Sequence, residues 1–351
     1  MERRSFLECG AAYGLFSTAS DLARASDAAG SAPSVSQTEE VLVIADPHAH
    51  PNNIHATRSR DSSMPTLEIM KKAGMSLCSF SAVGDRSRYP GRVGTPYSDT
   101  QSQLINVKRL EDIGAIRMVL NAIDLRPSAD FAGLMAIEGG DALEGQLKYL
   151  DAFHAYGVRL MTLMHDHDNE IGFNQRSSSD GPLTPFGVRV VERMNELGMV
   201  VDVAHAKAST MRHVAQICTR PIIDSHTSLL ASGEDGPGLR RLRPWDEMEV
   251  IAKSGGVVCT WPFAYVGHRS QRTTLAHWAH EIVQMKARLG IEHCGIGTDG
   301  GGGLPRMVAG WDSIASLDNL IGAFKVAGLT EQDIGAVVGG NFMRVLRKCL
   351  V

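Results

Sequence analysis

The sequence predicts an α/β fold, a single-domain (β/α)8 TIM barrel with an extra edge hairpin. Short apolar runs alternate with longer amphipathic ones from about Val41 to the C-terminus. The apolar runs are strand-length and lack strict polar alternation, as parallel strands buried on both faces require. Most of them also end in a histidine or a carboxylate, and the active face of such barrels lies at the C-terminal ends of the strands.

Composition narrows the classes of function. Apolar residues make up 43% and charged residues 21% of 351 residues, which is ordinary globular composition and argues against disorder. A net charge of −4 leaves no basic excess for binding nucleic acid by counterion release. No uncharged apolar run approaches the roughly 20 residues of a membrane span. The cysteines at 9, 78, 218, 259, 294 and 349 form no CxxC pair. Cys78, Cys259 and Cys294 sit in apolar runs and read as buried free thiols.

At the N-terminus, Arg3-Arg4 precede Phe6-Leu7 and a small uncharged stretch, and Ala23-Arg24-Ala25 follows. Residues 1–25 resemble a twin-arginine export signal with an Ala-x-Ala processing site, which predicts a periplasmic or exported protein; a packed N-terminal helix in the cytoplasm is the alternative. Residues 26–40 read as an Ala/Ser/Gly-rich linker, and 41–351 as the barrel.

Within the barrel, strands are expected at Val41–Ala45, Ser76–Val83, Leu134–Ile137, Arg159–Met164, Met199–Ala204, Pro221–Ser225, Gly256–Thr260 and Cys294–Thr298. Helices are expected at Pro185–Leu197, Trp245–Lys253 and Leu275–Leu289, among others. A ninth run, Ala115–Asp124, disturbs the count and is read as an edge strand or hairpin before the third barrel strand.

Six of these strands run into side chains that bind metals or move protons. They are Asp46-Pro-His48-Ala-His50, Glu138, His165, His205, His226 and Asp299. One strand-end histidine is commonplace; six such ends on one rim point to a single site. His48 and His50 lie two apart, so on an extended strand they share a face. Zinc takes imidazole and carboxylate ligands, and His48, His50, Glu138, His205 and His226 supply them. The remaining histidines read as surface or structural, with the role of His167 in His-Asp-His-Asp left open.

Several segments then resemble one family, the membrane (renal) dipeptidases of the amidohydrolase superfamily. They are IEGGDALEG (137–145), GVRLMTLMH (157–165), LTPFG (183–187), MNELGMVVDVAH (194–205), PIIDSHTS (221–228), GIGTDGGG (295–302) and GGNFMRVLR (339–347). The resemblance implies a zinc metallodipeptidase with two Zn2+ per chain. His48 and His50 would hold one metal, His205 and His226 the other, and Glu138 would bridge them. Asp299 would be the catalytic acid/base, and His165 would bind the substrate carbonyl. A metal-bridging hydroxide would attack the amide.

An arginine would hold the substrate's C-terminal carboxylate. Arg241 is favoured over Arg240 and Arg243 by counting back from IAKSGG. The implied partner is a small peptide with a free C-terminal carboxylate, and a homodimer is left open. Other amides, N-acyl amino acids or lactones stay open as substrates, as does a non-catalytic metal-binding barrel. One departure stands out, because the family's first motif is His-x-Asp and residue 50 is His. The site gains one unit of positive charge, which should weaken the metal at His48 and His50 and favour activity at lower pH. A neighbouring carboxylate such as Asp46, acting through a histidine N–H, would offset it.

Overall fold

In the computed structural model, described for residues 42–51, 67–89, 91–126, 128–267, 269 and 271–351, nine parallel strands form one sheet. These are β1 (Ile44–Ala49), β2 (Met75–Val83), β3 (Arg117–Met118), β4 (Ala132–Glu138), β5 (Val158–Thr162), β6 (Val200–Asp202), β7 (Ile223–Thr227), β8 (Val257–Thr260) and β9 (Cys294–Ile296). Eight pair in the order β1-β2-β4-β5-β6-β7-β8-β9, with β3 beside β4. Just past β9 the chain returns to β1, where Asp299 N–H donates to His48 O at 2.9 Å and His50 N–H to Gly300 O at 2.8 Å. These bonds close the ring of a (β/α)8 barrel.

The helices are α1 (Leu67–Lys72), α2 (Pro96–Asp112), α3 (Leu147–Tyr156), α4 (Pro185–Leu197), α5 (Ala208–Ile217), α6 (Trp245–Lys253), α7 (Leu275–Leu289), α8 (Leu317–Val326), α9 (Glu331–Gly335) and α10 (Asn341–Cys349). Thr184 caps α4 by accepting from Gly187 N–H, with Pro185 at the first helical position, and Gly198 ends the helix in a left-handed conformation. That combination of start and stop signals is why the sequence marks α4 so sharply. Helices α6 and α7 also lie where the sequence places them.

Two expectations are corrected. The first strand begins later than Val41–Ala45 and runs through the Asp-Pro-His-Ala motif, with a break in register between Asp46 and Ala49. Alternation in that motif is masked by four polar or small residues, although all of β1 is buried. The ninth run is an edge strand but not a hairpin. Its β3 runs parallel to β4, pairing Arg117 with Ala132 and Met118 with Gly133, on the side that β5 takes over from Met135. The expected export signal, the linker, Cys9, Val41, His55 and His268 lie outside the described residues.

Side-chain alternation positions the site. On β4, Met135 and Ile137 join the layer beneath the helices, whereas Leu134 and Ala136 join an inner cluster with Leu160, Val200, Ile223 and Val257. Phe342, Met343, Leu346 and Cys349 of α10 complete that inner cluster. Continuing the period of two along the inner face gives Glu138 on β4, Thr162 on β5, Asp202 on β6 and Ser225 on β7. All four are buried. The barrel interior is therefore apolar at the end closed by α10 and polar at the other. Cys78, Cys259 and Cys294 are buried free thiols, as expected.

Candidate metal centre

Glu138 is the hub of the site. Its Oε1 lies 3.3 Å from His48 Nε2, 3.1 Å from His205 Nε2 and 3.6 Å from His226 Nε2. Its Oε2 lies 3.4 Å from His50 Nε2 and 3.6 Å from His165 Nε2. Asp299 joins from the far side of the seam, with Oδ1 at 3.3 Å from His50 Nε2 and 4.0 Å from His48 Nε2. Three groupings of ligand atoms lie within 4.8 Å of one another among the described residues: His48–Glu138–His226, His48–His50–Asp299 and Glu138–His165–His205. The structure thus gathers every side chain that the sequence nominates for the metals.

The rings of His48, His50 and His226 are aimed by a partner on the other nitrogen, whereas the buried His205 Nδ1 has none among the described residues. His50 Nδ1 lies 2.7 Å from the carbonyl of Ser81, so Nδ1–H donates there and Nε2 is the nitrogen turned toward the centre. His48 Nδ1 is 3.3 Å from Ser81 Oγ. His226 Nδ1 is 2.9 Å from Ser225 Oγ, which donates to Asp202 Oδ2 at 2.6 Å. Asp202 also accepts from Thr162 Oγ1 at 2.5 Å. Outer partners that fix tautomer and orientation in this way are typical of metal-binding imidazoles.

Asp46 takes a different part from the expected one. It accepts from the backbone N–H of His48 at 3.0 Å and from Thr298 Oγ1 at 2.5 Å, not from an imidazole. The carboxylates beside the His50 ring are those of Asp299, at 3.3 Å from Nε2, and Glu138, at 3.4 Å.

Buried Nε2 of His48 has no hydrogen-bond partner, although Glu138 lies alongside, and His205 Nε2 and His226 Nε2 stand 2.8 Å apart. Imidazole nitrogens converging on a buried carboxylate, in a donor set of imidazole and carboxylate, fit a borderline-soft divalent metal such as zinc. Electrostatics point the same way for His205 and His226; at His48 burial opposes protonation, but Glu138 outweighs it and raises the ring to about 9. Burial pushes the Glu138 carboxyl up, but His165 and His48 outweigh it and hold the group well below the usual range. Burial, with Arg241 next in weight, drives His205 well below the usual imidazole range; burial and His48 do the same to His226. Both stay neutral, which is the state in which imidazole binds a metal. Burial also opposes protonation of His165, but Glu138 and Asp85 outweigh it and raise it to about 9.

Two site residues carry strained backbone: φ is +63° at His205 and +47° at Asp299. Left-handed conformations cost a non-glycine residue about 1–2 kcal/mol and cluster at functional sites. The neighbouring Gly302 makes room for the second of these, since a Cβ there would fall 2.0 Å from Asp299 Oδ1.

The three arginines separate cleanly. Arg241 donates to His205 Nε2 at 2.8 Å and lies over the Trp261 ring, 4.9 Å from its centroid. Arg240 is exposed and donates to Arg176 O. Arg243 is fully buried and donates to Asp224 Oδ2 and Glu247 Oε2, each at 2.8 Å, and to the carbonyls of Ala206 and Val203. It pins β6, β7 and α6 together rather than facing the cluster around Glu138. Arg243→Ala leaves Asp224 buried and uncompensated and is expected to destabilise the fold by about 3–5 kcal/mol. A denaturant midpoint unchanged from the wild type would contradict this.

Sequence reasoning missed Asp85, Asp202, Ser81, Ser225 and Trp261. Asp202 was open to discovery, since period-two counting places it inward on β6. Asp85 lies in a loop and gave no such signal. His167 is exposed and lies 6.2 Å from the Tyr89 ring.

Known proteins share this architecture. Residues 98–350 match the family model described as membrane dipeptidase, peptidase family M19. Dipeptidase verJ of Clonostachys rogersoniana is 29% identical over 243 residues, 68% of this chain and 61% of its own. Human dipeptidase 3 is 28% identical over 242 residues, 66% of this chain and 48% of its own. The chain therefore spans about half to three-fifths of the length of these curated relatives. A metallopeptidase from Rhodobacter sphaeroides, solved with a phosphinate mimic of the dipeptide L-Ala-D-Ala, superposes with a TM-score of 0.75 at 18% identity, covering 88% of this chain and 100% of its own. An amidohydrolase from Pseudomonas aeruginosa gives 0.74 at 21% identity over 88% of this chain and 96% of its own. At such identities these superpositions speak for the fold.

Proposed function

We propose, for a chain that belongs to the membrane dipeptidase family, that it is a zinc-dependent metallodipeptidase hydrolysing the amide bond of small dipeptides. The observation that carries the reading is the convergence of five imidazoles on the buried Glu138, with Asp299 and Arg241 beside them. His48, His50, Glu138, His205 and His226 would hold two zinc ions. Bound there, zinc supplies Lewis acidity that polarises a carbonyl and makes water a usable nucleophile near neutral pH.

The chain's own residues do the rest. His165 presents Nε2 toward the centre and orients the scissile carbonyl through its oxygen. Asp299 is a second carboxylate at the rim, 3.3 Å from His50 Nε2. It takes the proton from the attacking water and passes it to the departing amine. Glu138 is committed to its imidazoles and is not the base. Arg241, with its backbone carbonyl held by Thr227 Oγ1 at 2.8 Å, offers a planar guanidinium for bidentate capture of a carboxylate. The dipeptide mimic bound by the Rhodobacter sphaeroides protein makes dipeptides the first substrates to try.

Metal analysis of the purified protein, alongside a panel of dipeptides, N-acyl amino acids and β-lactams, tests the reading. Near-stoichiometric zinc with dipeptide turnover is the expected result, and zinc-replete protein inactive on every dipeptide would overturn it. Arg241→Ala is expected to raise KM for dipeptides with a free carboxylate on the order of 10- to 100-fold, the worth of a charged hydrogen-bonded pair. C-terminally amidated substrates should shift far less. Equal shifts for both substrates would take the carboxylate away from Arg241.

A further inference from the structure

We infer that Asp85, on the loop after β2, is a positioning residue that fixes the ring of His165 and so selects the nitrogen presented to the substrate. The inference deepens the dipeptidase reading and rests on it, since the role of His165 is taken from there. Asp85 is fully buried, and its Oδ1 lies 2.7 Å from His165 Nδ1. A carboxylate facing an imidazole nitrogen at that distance accepts Nδ1–H, which leaves Nε2 as the atom turned toward the centre. That atom is the one found 3.6 Å from Glu138 Oε2. The second oxygen of Asp85 accepts from the backbone N–H of Asp166 at 3.2 Å, so the same carboxylate ties down the residue that follows His165.

The loop is built to bring Asp85 there. Gly84 N–H donates to Glu138 O at 2.6 Å, and a Cβ on Gly84 would lie 1.9 Å from Gly139 O. Only glycine lets β2 leave the barrel this close to β4, and that approach drops the next residue against the loop after β5. Two further contacts clamp the same segment. Tyr89 Oη donates to Asp166 Oδ2 at 2.5 Å, and Arg88 Nε forms an ion pair with Asp141 Oδ1 at 2.7 Å. His165 sits beyond the end of β5, at Thr162, in a loop with no strand pairing to aim it. Its direction must come from side chains, and Asp85 supplies it.

The test combines kinetics with a magnetic-resonance signature in zinc-loaded protein. Asp85→Ala is expected to lower kcat on a good dipeptide by on the order of 10- to 100-fold with little change in KM, the scale on which removing an imidazole's orienting partner acts. Asp85→Asn keeps an oxygen for Nδ1–H and the side-chain volume, and should recover part of the loss. In a His165→Ala background, Asp85→Ala should cost nothing more, because its effect passes through the ring. A purely structural role would instead add its loss to that of His165→Ala, and this outcome overturns the inference. Wild-type kcat in Asp85→Ala also overturns it.

The Nδ1 proton of His165, assigned by proton–nitrogen correlation, should be protected from exchange in the wild type and lost in Asp85→Ala. Its survival there would refute the positioning role whatever the kinetics. If the wild type cleaves no dipeptide, the dipeptidase reading fails by itself, and this proton still decides whether Asp85 holds His165.

Discussion

Glu138→Gln should give a folded protein that holds little zinc and whose dipeptide hydrolysis falls by on the order of a thousandfold or more. Five imidazole nitrogens surround the two oxygens of Glu138 at 3.1–3.6 Å. An amide replaces one of those oxygens by an N–H donor and removes the only negative charge at the hub. Two cations placed there would repel with less to offset them, and in a partly desolvated site that repulsion is strong. Elemental analysis after gel filtration gives the metal content, and circular dichroism establishes that the fold survives. Full metal content together with wild-type turnover would remove Glu138 from the centre.

Asp299→Asn is the second large effect. Its carboxylate faces the rings of His48 and His50 through Oδ1, and its amide counterpart accepts no proton at neutral pH. Turnover should drop by about 10²–10⁴-fold, the usual worth of a positioned acid or base. Metal loss should be smaller than in Glu138→Gln and confined to the side of His48 and His50, because Asp299 Oδ1 lies 3.3 Å from His50 Nε2. Wild-type turnover would exclude Asp299 from proton transfer. Complete metal loss would make it chiefly a ligand. The same contact bears on the His-x-His motif: a carboxylate placed to offset the charge at residue 50 stands just past the last barrel strand, at Asp299, whereas Asp46 bonds to backbone and Thr298.

Much of this was legible because barrel strands carry their chemistry at their ends. Glu138, His205 and His226 each follow a run of residues buried on both faces, and a polar side chain after such a run has few structural reasons to be there. Helix α4 was legible to the residue because Thr184, Pro185 and Gly198 each act locally. β1 was misplaced because its second half, Asp46 to Ala49, is polar or small while wholly buried, so pattern and burial disagree. The choice among Arg240, Arg241 and Arg243 depends on directions in space that spacing does not encode. Asp85 shows the limit most sharply, since it meets His165 from 80 residues away, out of a loop whose sequence has no periodicity.

The seam between β1 and the chain past β9 has a consequence for how the molecule comes into being. Asp46 and Thr298 are bonded across 252 positions of sequence. Contacts of such separation form late, after the loop entropy of the intervening chain has been overcome. On a ribosome, β1 emerges first and waits with its outer edge unpaired until β9 is made. His48 and His50 stand on that waiting edge, and Asp299 arrives with the strand that covers it. Assembly of the centre and closure of the ring are thus one event, and a chain interrupted before residue 298 would carry half of each.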